Sequence, residues 1–460
     1  MKRLPARSFV RVVSAILAPI LFAVLFRAPP ALAQSKSDGP PLMLIRDAET
    51  EHLLRTFANP LFRAAGVDPN LVRIVLIRDS AINSFVSTGN ILFVHTGLIM
   101  KASSANELIG VLAHETGHIK GGHLAKLPEA LREAMIESIA AMLIGAAAGV
   151  ATRDGSGLGA GLGAQQMAQR NFLSFTRGME RAADQAGVQL LEANGWSAEG
   201  MLDLFHHLES QEMLVSRMQD PYIRTHPLTR ERMSFVEQYV SKSPSTGHKL
   251  PPGFESGFQM VRAKLTGFLS PSSETLKAIR GDDAPSRYAR AIALYRLGHL
   301  NEALPMVDRL IAEQKTNPWL HELKGQILFE NGRVRDALGP YREAVRLAPD
   351  EPQIHIGLAH AMVETGDPLL LRPAIQELQP ALDRERENAI GWRTLATAWG
   401  KLGDIGQANL ALAEEAMENG KIPLARGLAG RAEKQLPPGP ARLRAIDISN
   451  AVKKENRTGF

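Results

Sequence analysis

The first regular pattern along the chain is short and apolar. "LVRIVLIRD" (71–79) reads as a strand, and "SFVSTGNILFVHTG" (84–97) as a hairpin turning at Gly89 and Asn90. Helical spacing takes over from there. Ser104 and Glu107 have the separation of a capping box, and Leu108, Val111, Leu112 and Ile119 supply the apolar positions of the helix that follows. A second helix is expected over "SFTRGMERAADQAGVQLLEANG" (174–195), stopped by Asn194 and Gly195. Between the two lies "SIAAMLIGAAAGVA" (138–151). Its fourteen residues fall short of the roughly twenty that a bilayer crossing needs, so it reads as a buried or interfacial helix end. The glycine-rich stretch behind it, 155–163, reads as a flexible loop; a lid and a peripheral membrane contact both stay open for residues 138–163.

A Ser/Pro/Gly-rich passage, "SKSPSTGHKLPPGFESG" (241–257), marks a boundary, and beyond it the chain repeats itself. Gly298, Gly332 and Gly366 are 34 residues apart, and Gly403 follows after 37. Alanine stands five residues after three of these glycines, at Ala303, Ala337 and Ala408; Ala374 comes eight after Gly366, which places a three-residue insertion there. A period of 34 with small residues at fixed offsets predicts stacked helix pairs that approach closely at turn and crossing. The unit "LKGQILFENGRVRDALGPYREAVRLAP" resembles a tetratricopeptide repeat, with Gly325, Leu328, Gly332, Ala337, Tyr341, Ala344 and Pro349 at the expected places. The expected organisation is an N-terminal segment 1–33, a mostly helical α+β domain with a small sheet over 34–240, a linker over 241–283, and an all-α repeat solenoid over 284–455.

Composition narrows the function classes. With 45% apolar and 22% charged residues, the 460-residue chain reads as folded and multi-domain. The formal charge of +5 is accounted for by Lys2, Arg3, Arg7, Arg11 and Arg27, all before residue 34, so the rest is neutral and no nucleic-acid-binding role follows. That basic start, an apolar stretch from Val12 to Phe26 and Ala31-Leu32-Ala33 read as a signal peptide cleaved after Ala33, which makes the chain an exported one. Cysteine is absent, so neither disulfide nor thiolate chemistry is available. Any metal must be held by histidine and carboxylate.

Such a metal site is suggested by "HETGHIKGGH" (114–123). On a helix His114 and His118, four apart, share one face and can grip one ion, while Glu115 is displaced toward the ion's open side, where a carboxylate can take a proton from water. His123 is tempting as a third ligand. Nine residues from His114 is half a turn off axis, and the position at which a related motif carries its third histidine is Leu124, so His123 reads as structural. The missing ligand is expected from the second helix: Glu180 can bind the metal, and Asp184, one turn later, can accept the free N–H of a ligand histidine and fix its tautomer. His226, before Pro227, reads from its position alone as a loop histidine.

Four stretches, "HETGH" (114–118), "ERAAD" (180–184), "INSFVSTGNILFVHTGLI" (82–99) and "THPLTRER" (225–232), together resemble the zinc metallopeptidase family that includes the CAAX prenyl proteases. Within it the chain is similar to the exported, BepA-like members with C-terminal tetratricopeptide repeats. The resemblance implies a gluzincin-type protease domain with one Zn2+ per chain on His114, His118 and Glu180, and Glu115 as general base. It moves His226 into the site, either as an electrophile beside the developing oxyanion or as a fourth zinc ligand that keeps the enzyme latent. It further implies a periplasmic location, quality control of outer-membrane proteins, and repeats that recruit unfolded or misassembled clients or their assembly machinery. An extended substrate is expected to pair with the exposed hairpin strand at Ser84, Phe85, Val86 and Ser87. The alternative is a repeat scaffold or chaperone whose zinc site is structural or latent.

Overall fold

The computed structural model describes residues 43–460 except 124, 127–128, 131, 133–135, 137–155, 215–225 and 456–460. The signal-peptide expectation and most of the 138–163 stretch lie outside the described residues. Among the described ones, no helix is long and apolar enough to cross a membrane.

Four short strands form one sheet in the order β1-β2-β4-β3: β1 Leu44–Ile45, β2 Arg73–Ile77, β3 Ser84–Ser87 and β4 Ile91–His95. β2 and β4 run parallel; the other pairs are antiparallel. The hairpin β3–β4 turns at Gly89 and Asn90, both in the left-handed region (φ 80° and 56°), where Gly and Asn are the residues at least cost. β3 is therefore an edge strand. Its Ser84 hydroxyl donates to the Phe93 carbonyl, and Phe85 stacks on Phe93 across the pair.

Helices α1 (Ala48–Ala64), α2 (Thr96–Lys101) and α3 (Ala105–Gly121) close over the sheet. Their apolar faces share a core with Phe57, Phe62, Leu92, Val94, Leu108 and Leu112. Ser104 caps α3 by accepting from the Glu107 N–H, but the reciprocal bond differs from the expected box: Glu107 accepts from the Ser103 N–H. A long helix, α4 (Ser156–Ala193), crosses α3, followed by α5 (Glu199–Leu214) and α6 (Arg230–Lys242). The start of α4 corrects the reading of the glycine-rich stretch as a loop. Glycine lowers helix propensity by about 1 kcal/mol per residue, yet extending a formed helix adds a hydrogen bond for each residue fixed, and the local preference loses.

The stretch 241–283, expected as a linker, carries α7 (Phe254–Leu269) and a short helix Ser272–Ala278. One face of α7 gives Phe258, Val261 and Leu265 to the first core; the other gives Met260 and Ala263 to the core of the first repeat. Beyond it, helix pairs stack in sequence: 284–296 with 300–313, 318–330 with 334–347, 352–364 with 371–384, 389–401 with 405–418, and 422–435 with 440–455. The inserted residues of the third unit form the 3-10 turn Pro368–Leu370.

The repeat glycines hold their places for a different reason from the one the spacing suggested. A Cβ at Gly298, Gly332, Gly366 or Gly403 would touch nothing, but each has φ between 72° and 83°, so the turn needs left-handed backbone rather than close packing. Close packing falls to the buried alanines 303, 337, 374 and 408, and to Gly325, where a Cβ would lie 2.8 Å from the Tyr341 ring.

The repeats also clasp the first domain. Ala48 packs with Ala344 and Ile354, Arg46 pairs with Glu385 (2.7 Å), His52 with Glu351 (2.5 Å), and Arg73 with Glu387. At the centre of this seam buried Lys264 faces Asp47 (2.6 Å), Glu49 (3.3 Å) and Glu322 (3.8 Å), and the Tyr288 hydroxyl donates to Glu49.

Candidate metal centre

His114 and His118 sit one turn apart on the buried face of α3, and their Nε2 atoms are 3.1 Å apart. What brings a carboxylate to them is the crossing of α3 over α4. At Gly117, between the two histidines, a Cβ would lie 2.5 Å from the Ala183 carbonyl oxygen; at Gly187 the α4 backbone lies against Ala113 and His114. Glycine at 117 thus removes the atom that would hold the two backbones apart. Glu180 then reaches both histidines, Oε2 lying 3.4 Å from His114 Nε2 and Oε1 3.4 Å from His118 Nε2.

His226 enters from the segment before α6. Its Nδ1 lies 3.3 Å from His114 Nε2 and 3.1 Å from Glu180 Oε2. Three imidazole nitrogens and a carboxylate oxygen therefore all lie within 4.8 Å of one another, with His114 Nε2 3.1 Å from His118 Nε2 and 3.3 Å from His226 Nδ1. Four ligands at about 2.0–2.1 Å around a tetrahedral zinc lie roughly 3.3 Å from one another. The donor set is nitrogen and oxygen without sulfur, little exposed to solvent; it fits zinc in type, and the His114 pairs fit it in spacing.

Within the cluster His114 is oriented by a hydrogen bond on its far side. His114 Nδ1 is 2.8 Å from Asp184 Oδ1; only an N–H can donate there, so the neutral ring keeps its proton on Nδ1 and turns its Nε2 lone pair to the cluster. Asp184 is gripped in turn by Arg232, whose Nε and Nη2 donate to its two oxygens at 2.6 and 2.8 Å. The same guanidinium lies 3.0 Å from Glu180 Oε2, donates to the Pro227 carbonyl oxygen, and stacks over the Phe205 ring. Arg232 thus ties α4, the His226 segment and α6 into one unit. Its place in "THPLTRER" gave it no role in the sequence; the signal is an arginine six residues after a site histidine, and only the fold shows what it grips.

The electrostatics follow from burial and these partners. Burial works against the charge on Asp184 and Glu180. Arg232 and His114 nevertheless hold Asp184 below its ordinary value, as the three imidazoles do Glu180. His114 is pushed up to about 9 because Asp184 and Glu180 outweigh its burial, and burial takes His118 down to about 3. Glu115 is wholly buried, neither of its oxygens has a hydrogen-bond partner among the described residues, and burial raises its pKa. His226 Nε2 lies 3.5 Å from its Oε1. The arrangement is a cation site with a desolvated carboxylate poised beside it, a combination suited to taking a proton from water.

The structure brings His114, Glu115, His118, Glu180, Asp184 and His226 together. It keeps His123 out of the donor cluster; that imidazole instead lies beside His118. Ser84, Phe85, Val86 and Ser87 form the edge strand, against which α3 packs.

Residues 47–240 match the family described as Peptidase family M48, and residues 288–352 match the tetratricopeptide repeat family. Among curated proteins, the chain is 26% identical over 399 residues to the beta-barrel assembly-enhancing protease of Yersinia pestis, covering 85% of this chain and 80% of that one. It is 24% identical over 386 residues to the protein of the same name from Escherichia coli (strain K12), covering 81% and 76%. A putative beta-barrel assembly-enhancing protease of Vibrio cholerae is 27% identical over 252 residues, 53% of this chain and 51% of that one.

Proposed function

For a chain that is a metalloprotease, with a peptidase family M48 domain at residues 47–240 and tetratricopeptide repeats behind it, we propose the activity of a zinc-dependent endopeptidase that resides in the periplasm and acts on unfolded or misassembled outer-membrane β-barrel proteins. The observation that carries the metal-dependent part is the convergence of His114, His118, Glu180 and His226 beside the desolvated carboxylate of Glu115. The client class rests on the relatives, which are named for enhancing β-barrel assembly.

His114, His118 and Glu180 would hold one zinc per chain. When bound there, zinc supplies a Lewis acid that activates water and polarises a peptide carbonyl. Glu115 takes the proton from the attacking water and passes it to the leaving amine; its burial raises its affinity for that proton. Asp184, held by Arg232, keeps the His114 lone pair on the metal side. The edge strand at Ser84, Phe85, Val86 and Ser87 offers backbone groups to which an extended substrate adds as a further strand, a mode that reads backbone more than side chains and suits unfolded β-proteins. The repeats recruit the client or its assembly machinery.

His226 decides whether this site works at rest. With Nδ1 among the donors, it fills the place that a catalytic zinc site leaves open, so the resting enzyme is latent and His226 must withdraw before water and substrate can enter. The same four-donor closure favours the second reading, a repeat scaffold or chaperone with a structural metal. A protease assay on unfolded β-barrel protein and casein separates them. Glu115→Gln is expected to abolish cleavage while zinc content stays at one per chain, and His226→Ala to raise cleavage. Absence of cleavage by both the wild type and His226→Ala, with client pull-down intact, establishes the scaffold. If His226→Ala cleaves less with zinc retained, the histidine serves the transition state instead of blocking the site.

A further inference from the structure

Asp184 accounts for the orientation of His114, and the corresponding partner of His118 is His123. The two rings meet edge to face, with Nδ1 of His118 3.0 Å from Nδ1 of His123. One of these nitrogens must donate and the other accept. The Nε2 lone pair of His118 belongs to the donor cluster, so its proton is on Nδ1, and the Nδ1 of His123 is the acceptor.

The chain is shaped for this contact at both of the glycines before His123. α3 ends at Gly121, and Gly122, with φ of 59°, turns the backbone left-handed so that the next side chain folds back along the helix. His123 then lies over Gly121, where a Cβ would be 2.3 Å from its Nε2 and 2.7 Å from its Cδ2. The ring occupies the space the missing side chain leaves and is itself 7% exposed. A histidine placed merely to fill space would not require its Nδ1 to be aimed at a ligand's only remaining donor.

We propose that His123 is a positioning residue for the metal site: its Nδ1 accepts the Nδ1–H of His118, locking the ring and tautomer that present Nε2 to the metal, with Gly121 and Gly122 as the hinge that delivers it. This rests on the reading of His118 as a metal ligand.

The test is zinc affinity of the purified chain, measured by competition with a chromogenic chelator, with thermal unfolding of the zinc-free protein as a fold control. His123→Leu removes the acceptor and is expected to weaken zinc binding by about ten- to a hundredfold. His123→Asn, whose side-chain oxygen stands near the former Nδ1, is expected to restore affinity to within about threefold of wild type. Gly121→Ala keeps both imidazoles but displaces the second, and is expected to weaken zinc binding as His123→Leu does; it carries the test should His123→Leu not fold. Wild-type affinity in His123→Leu or in Gly121→Ala, or an equal loss in His123→Asn, overturns the role of His123 alone. A wild type that binds no zinc overturns the ligand reading of His118 as well.

Discussion

At the residue scale the site depends on buried charges that stabilise only as a set. Arg232 is 2% exposed and carries both oxygens of a fully buried Asp184 as well as one of Glu180. Removing one partner of such a pair leaves an uncompensated buried charge, which costs about 3–5 kcal/mol. Arg232→Met is therefore expected to lower the stability of the zinc-free protein by that amount in denaturant unfolding. The double variant Arg232→Met with Asp184→Asn should recover part of the loss, because the stranded carboxylate is gone. Equal losses in single and double variants would remove Arg232 from this account.

Two kinds of glycine separate at the element scale. Gly117 serves the crossing of α3 and α4, because a Cβ there would meet Ala183 backbone atoms at 2.5 and 2.9 Å, and backbone cannot rotate away as a side chain can. Gly117→Ala is expected to push the helices apart, costing about 1–3 kcal/mol of stability and reducing zinc content in the purified protein, although none of the four clustered side chains is altered. Gly332 serves a turn, with open space around it and φ of 75°. Gly332→Ala should cost about 1–2 kcal/mol, read as a lower Tm, and leave zinc content unchanged. Loss of zinc in the second variant, or its full retention in the first, would contradict this division.

At the scale of the whole molecule the seam joins the first domain to the repeats. α7 belongs to two cores at once, and Lys264 faces three carboxylates across the junction. Burial, with Asp47 and Glu49 adding to it and Lys264 opposing, pushes the Glu322 carboxyl up to about 7, and its Oε2 has no hydrogen bond among the described residues. The folded state therefore binds this proton more tightly than the unfolded chain, whose carboxyl titrates near about 4.3, so stability falls as pH rises between those values. Glu322→Gln removes that slope. Its Tm is expected to exceed wild type at pH 8, by on the order of 1–3 kcal/mol in stability, and to match it near pH 4. Chelation of zinc should likewise lower the Tm of the wild type, since the donor cluster joins α3, α4 and the segment before α6.

Sequence by itself determined whatever is written in local spacing. The hairpin turn at Gly89 and Asn90, the capped helix of the HETGH motif, the 34-residue repeat and its three-residue insertion before Ala374 each follow from one turn or one helical period. That Glu180 and Asp184 face the same neighbour was legible too, because residues four apart share one side of a helix, and both lie against His114. Tertiary structure alone decided what distant segments do to one another. It gave Arg232 its carboxylates, turned His123 back onto His118, made a helix of the glycine-rich run at the start of α4, and made α7 a shared wall between two cores. The physical reason is the same in each case: these roles depend on which backbones approach closely enough to exclude water, and nothing in a residue's own neighbourhood along the chain records that distance.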